Sequence, residues 1–256
     1  TAQFPAEAPA RECFIRVGDQ FISGPFGNYR IWMTQATLNH WATRGNLSND
    51  PLDVTCVYGQ SRVIYNAGSM YAGSPAWSPS YNSPIGNICA YDVLLPGEDL
   101  MFNENKLSLD VPIRDATNQR EQLMHWIADQ YGLPNLYRRD VYLFVNGVRR
   151  GTIYHDTQQP DAGFLEEWFS SDPEGMLVKA AQWSEGDDTG AVESALLPSL
   201  ERLTSGGTLK TAAYRWPWRL RAAESQLDYT NFLNLVESAN VTGSGYEAAV
   251  ESQVNV

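Results

Sequence analysis

Lys179 is one of three lysines, with Lys106 and Lys210, among eighteen basic residues. It sits in the apolar run Gly175-Met176-Leu177-Val178-Lys179. On a strand it shares a face with Leu177 and Ala181, where its ammonium can be held near a partly enclosed phosphate. The competing reading is a lysine whose stem crosses a half-buried face to reach water, and the scarcity of lysine also follows from base composition alone. Gly73-Ser74, in a Gly/Ser/Pro-rich stretch, can offer backbone N–H groups and a hydroxyl to the same kind of anion, or can be a plain loop. Asp156 follows a pair of strands and is a candidate partner for a cation, or a strand-end turn residue. Arg149 and Arg150 read as solvated residues beside a tight turn, and the acid pair Asp187-Asp188 as an exposed turn.

Other chemistries find no pattern. His40, His125 and His155 are too far apart for a protease or zinc signature, and there is no G-x-S-x-G. Neither G-x-x-x-x-G-K-[ST] nor G-x-G-x-x-G occurs, which removes the common phosphate loops. Cys13, Cys56 and Cys89 cannot all pair within the chain and match no zinc spacing; one disulfide plus a thiol, or three thiols, both remain open. A net charge of −12 opposes nucleic-acid binding, which needs basic patches. No run of eighteen uncharged apolar residues is present, so no membrane span is expected. The composition has the flavour of a secreted or cell-surface domain. The start at Thr1 without Met, and the end in SQVNV within an apparent helix, predict that both ends are cuts.

The elements that would position these residues alternate in type. YRIWMT reads as a strand and QATLNHWATRG as a helix stopped at Gly45, with Leu38, Trp41 and Ala42 on one face. LDVTCVY and SRVIYNA read as a hairpin across Gly59-Gln60, followed by a functional-length loop from Gly68 to Asn87 and a strand in FNENKLSLDV. Asp115 to Tyr131 is predicted as an amphipathic helix ending at Gly132, packing Leu123, Trp126 and Ile127 on a sheet. DVYLFV and VRRGTIYHD flank Asn146-Gly147, whose tolerance of positive φ specifies a type I′ hairpin. Then come a helix in DAGFLEEWFSS, a strand in GMLVKAAQW, a helix around VESALLPSLERL, a strand-like AAYRWPWRLR, and a helix from Asp228 with Phe232, Leu235 and Val236 on one face. This order predicts an α+β fold: a mixed or antiparallel sheet with packed helices.

The succession QREQLMHWIADQYGLPNLYRRDVYLFVNGVRRGTIYHDTQ and FLEEWFSSDPEGMLVKAAQW resembles the CotH family of spore-coat and secreted atypical protein kinases. SRVIYNAGSMYAGSP is similar to that family's arginine-glycine-serine strand and turn, with Tyr71-Ala72 in place of the arginine, and DYTNFLNLVESAN to its later helix. The resemblance implies a linker over residues 1–28 and a kinase-like N-terminal portion over 29–256, cut before the family's catalytic aspartates. It implies ATP and Mg²⁺ as cofactors, protein Ser/Thr hydroxyls as acceptors, Lys179 on the nucleotide phosphates with Asp156 pairing it, and Gly73 and Ser74 near the phosphate. The fragment itself would be inactive. The alternative is a non-catalytic extracellular binding module for carbohydrate or a surface protein, using exposed aromatics such as Trp77, Tyr81 and Trp218.

Overall fold

The computed structural model describes residues 22–45, 48–72, 89–102, 104–112, 115–180, 184–190, 192–194, 197–215, 217–222 and 228–254. Gly73, Ser74, Trp77, Tyr81 and Cys13 lie outside these residues. The chain divides into two compact units: residues 1–159 with 185–192, and residues 160–184 with 193–256.

The first unit is a closed barrel of seven strands: β1 (Gly27–Trp32), β2 (Leu52–Tyr58), β3 (Arg62–Tyr71), β4 (Tyr91–Leu94), β5 (Lys106–Asp110), β6 (Arg138–Val145) and β7 (Val148–Thr157). Their order is β1-β2-β3-β4-β5-β7-β6. Neighbours pair antiparallel except at the closure, where β1 runs parallel to β6 from Gly27↔Val141 to Ile31↔Val145. Local patterning carries these strands. Asn146 and Gly147 adopt φ of 46° and 77°, as the I′ turn requires. Asn146 also links the hairpin to β1, donating from its amide nitrogen to the Met33 carbonyl and accepting from the Met33 N–H. Inward residues such as Ile31, Cys56, Ile64, Leu109 and Leu143 are wholly buried and form one core.

Two helices lie between barrel strands: α1 (Gln35–Thr43) and α2 (Arg120–Gln130). Thr34 caps α1 through its hydroxyl, and Trp41 packs into the barrel core against Tyr71, ring to ring at 5.1 Å. Helix α2 ends as the sequence indicates, with Gly132 at φ 65° and the Leu133 N–H reaching the Ala128 carbonyl. Asp115 caps its start, accepting from the N–H groups of Gln119 and Arg120.

The second unit holds α3 (Ala162–Trp168), β8 (Val178–Ala180), a two-stranded ribbon β11 (Thr204–Ser205) and β12 (Thr208–Leu209), α4 (Thr211–Tyr214), β13 (Trp218–Leu220), α5 (Thr230–Ala239) and α6 (Tyr246–Glu251). Two further short strands, β9 (Ser184–Gly186) and β10 (Val192–Ser194), flank the Asp187–Gly190 turn. A small core of Tyr214, Tyr229, Phe232 and Val236 sits under α5. No helix of the described residues is long and apolar enough to cross a membrane.

The expected kinase-like α+β fold is therefore corrected: the principal element is a closed barrel, and helices do not form a layer over a sheet. Closure depends on β1 meeting β6, strands more than a hundred residues apart, and no local periodicity encodes that contact. Three local readings change with it. The anticipated loop begins late, because Gly68 to Tyr71 continue β3 and pair with β4. The stretch Leu197 to Leu203, read as part of a helix, is irregular, consistent with Pro198 breaking the pattern. AAYRWPWRLR holds the short α4 before β13 rather than one strand.

Candidate functional site

The residues singled out in the sequence separate between the units. Asp156 belongs to the barrel and Lys179 to the second unit. Asp156 is wholly buried near the end of β7, opposite Arg139 of β6. Its Oδ2 accepts from the Tyr29 hydroxyl at 2.7 Å and from the Arg139 guanidinium. Arg139 lies over the Phe102 ring at 3.8 Å. Burial pushes the Tyr29 hydroxyl well above the ordinary phenol range, and the neighbouring Asp156 charge adds to the effect. For Arg139, burial opposes the charge but Asp156 and Tyr29 outweigh it, so its pKa is raised. Asp156 thus holds a cation inside its own unit, and that cation is Arg139.

Lys179 is exposed on β8, directly across from Arg219 of β13. Trp218, anticipated as an exposed recognition ring, is half-buried against Phe232 at 4.9 Å and donates its indole N–H to the Ser199 carbonyl. Arg150, anticipated as solvated, is buried in the barrel wall, while Arg149 stacks on Tyr142 at 4.5 Å. Asp188 is tied rather than free: its carboxylate accepts from the Ser48 hydroxyl at 2.7 Å and from Arg44, and meets the His40 ring at 2.7 Å. Those contacts, the Ser48 hydrogen bond foremost, hold its pKa below the usual carboxylate range. Cys56 and Cys89 are separate buried thiols, each pushed up to about 12 by burial, which leaves them protonated and unreactive. Among the described residues no three His, Cys, Asp or Glu side chains converge as metal ligands.

A different group of residues lines an open groove on the barrel, of about 510 Å³. A β-bulge builds it. Along β2 and β3 the register runs Val54↔Ala67 and then Cys56↔Ile64, so Thr55 alone faces the two residues Tyr65 and Asn66. Asn66 takes the extra place with φ 53°. A bulge of this kind redirects side chains, and burial along β3 shows it: Ile64 and Ala67 point in, while Tyr65 and Asn66 both point out. They meet Asp53 and Thr55 from β2, Trp32 from the end of β1, and Thr34 at the α1 cap. Trp32 is backed by the hairpin turn, where a Cβ on Gly147 would lie 3.6 Å from its ring.

Among the described residues the groove thus presents two aromatic rings, one exposed carboxylate, one carboxamide and threonine hydroxyls, with no Lys, Arg or His in its lining. Rings of this kind cover apolar C–H faces, and the polar groups exchange hydrogen bonds with hydroxyls. Sequence reading missed these residues, although a signal was present: in Ile64-Tyr65-Asn66-Ala67 the two-residue alternation slips by one, which is how a bulge appears in a strand. No protein-family model matches the chain, and no curated protein matches it.

Proposed function

We propose that the barrel unit is a non-catalytic binding module for a carbohydrate, taken up in the groove between Trp32, Asp53, Tyr65 and Asn66. One observation carries this reading: a bulge turns Tyr65 and Asn66 outward beside Trp32, an exposed acid and hydroxyls, in an open groove whose described lining has no basic residue. A neutral polyhydroxylated ring has two apolar faces and an equator of donors and acceptors, which this combination fits. A phosphate or nucleotide calls for cations, and the described lining has no Lys, Arg or His. The groove's openness suits a stretch of a longer glycan rather than an enclosed monosaccharide.

The test is calorimetric titration of the chain with a panel of neutral oligosaccharides, repeated with Tyr65→Ala and Asp53→Asn. Binding should weaken at least tenfold in Tyr65→Ala, equivalent to about 1.4 kcal/mol, with the barrel still folded. Absence of binding to every saccharide up to roughly 10 mM, where even millimolar sites register, overturns it. Transfer of phosphate from ATP to protein hydroxyls is the second reading. It rests on the sequence resemblance to the CotH family alone, since Asp156 pairs with Arg139 and belongs to a different unit from Lys179. Adding Mg-ATP to the same titration separates the two, because saturable heat that survives Tyr65→Ala and is lost in Lys179→Met supports the transferase.

A further inference from the structure

Helix α2 is built inside out. Around its axis, at about 100° per residue, His125 marks the centre of one face, with Glu121, Gln122 and Ala128 beside it. Leu123 and Ile127 mark the opposite face, flanked by Trp126 and Met124. It is the polar face that meets the barrel. Glu121 pairs with Arg138, the Gln122 amide donates to Asp140 at 3.1 Å, and His125 Nδ1 accepts the Leu136 N–H at 3.3 Å. Beneath them lies the buried ring of His155, 3.4 Å from Asp140. None of the helix's residues is buried. Most of the apolar face is left to solvent: Leu123 is 53% exposed, Met124 64%, Trp126 59%, and Tyr131, just past the last turn, 78%, while Ile127 is half-buried.

We infer that this face is a self-association surface, on which α2 of a second copy packs antiparallel. Two observations select that occupant. The first is area: these side chains with Leu133 offer on the order of 500 Å² of apolar surface per copy, at the upper end for a monomer's own patch. Two copies face to face reach about 1,000 Å², the lower limit for a specific interface, so the association is weak, with Kd of about 10 to 100 µM. The second is complementarity along the stripe. Arg120 in the first turn and Tyr131 past the last turn lie on the same flank, within about 20° of one another on the wheel. Antiparallel pairing brings Arg120 onto Tyr131 of the partner subunit, twice by symmetry, a cation over an aromatic face. The Arg120 side chain is 74% exposed and reaches Asp115 only at 3.6 Å, so it can turn outward.

The net charge of −12 makes the copies repel at long range, so association should strengthen as salt screens it. The experiment is sedimentation equilibrium of the full 256-residue chain, from about 1 to 300 µM, at low and at high salt. The expected result is a monomer–dimer equilibrium, tighter at high salt. Leu123→Glu should weaken it at least tenfold and Arg120→Glu roughly threefold, with circular dichroism and melting unchanged for both exposed positions. Three results overturn the inference: a monomer throughout the range, a dimer indifferent to Leu123→Glu, or a monomer that instead binds zwitterionic phosphatidylcholine vesicles through Trp126. The last would assign the face to lipid.

Discussion

Helices α2 and α5 both carry an apolar stripe in the sequence, yet they place it oppositely. In α5, Phe232 and Val236 are buried, and Phe232 meets the rings of Trp218, Tyr214 and Tyr229 at 4.9, 5.8 and 6.3 Å. In α2 Leu123, Met124 and Trp126 of the stripe face solvent, Ile127 is half-buried, and the polar side faces in. The surface each helix lands on makes the difference. Beneath α5 lie aromatic and aliphatic side chains such as Tyr214, Trp218, Met176 and Leu209. Beneath α2 the outer face of β6 and β7 carries Arg138, Asp140 and His155. A buried charge or imidazole without partners costs several kcal/mol, roughly the transfer energy of two or three large apolar side chains, so satisfying that layer outweighs burying Leu123 and Trp126. Periodicity reveals that a helix has a stripe; it does not say which side the fold will use.

The largest effect that can break this comparison is a truncation in each stripe. Phe232→Ala empties the centre of the small second-unit core and should cost about 3–5 kcal/mol, enough to unfold that unit. Leu123→Ala and Trp126→Ala in a dilute chain should each change stability by no more than about 0.5 kcal/mol. Urea denaturation of the three variants checks both halves. If Trp126→Ala proves as costly as Phe232→Ala, the exposed face of α2 has a partner within the chain.

Next in size is removal of the polar seat. Asp140 accepts from Gln122 and lies beside His155, with its side chain 13% exposed. Asp140→Ala should loosen α2 by about 1.5–3 kcal/mol, the usual worth of hydrogen bonds to a charged group. Hydrogen exchange should show α2 amides losing protection while α5 amides keep theirs. Equal protection of α2 in both forms would mean that it is held by something other than this layer.

How much was legible in the sequence follows the same division between local and distant information. The Asn146-Gly147 hairpin, the hairpin across Gly59-Gln60, the Gly132 stop of α2 and the buried face of α5 were all readable, because each rests on a turn residue or a period within a dozen positions. The parallel closure of β1 on β6 was not, nor the burial of Arg150, which lies next to a shift of the β6–β7 register. Asp156 was found as a residue, but its partner was not: Arg139 reaches it across a strand pair whose register no motif encodes. The groove residues escaped for a subtler reason. Tyr65 and Asn66 look like ordinary members of a strand until the slip in alternation is weighed as a bulge.

The smallest effect concerns pH, and it separates the helices most cleanly because α5 contains no histidine. His125 is partly buried under α2, and that burial, with Arg138 nearby, lowers its pKa below the ordinary histidine value, Glu121 offsetting part of the shift. The neutral ring is the one that the fold uses, since Nδ1 must accept the Leu136 N–H. The unfolded chain therefore binds a proton more readily than the folded one. The contribution is complete above the unfolded value of about 6.5 and is lost as pH falls through it toward the lower folded value. Protection factors of the Leu136 amide and of α2 should drop between about pH 7.5 and pH 5, while those of α5 stay level. His155 lies in the same layer, so the control is His125→Asn: the carboxamide oxygen can take the place of Nδ1 as acceptor without titrating, and His155 is left in place. In that variant the pH response of the Leu136 amide should vanish. A response that persists in His125→Asn assigns the sensitivity to another group of the layer, and no response in the native chain removes His125 from the seating of α2.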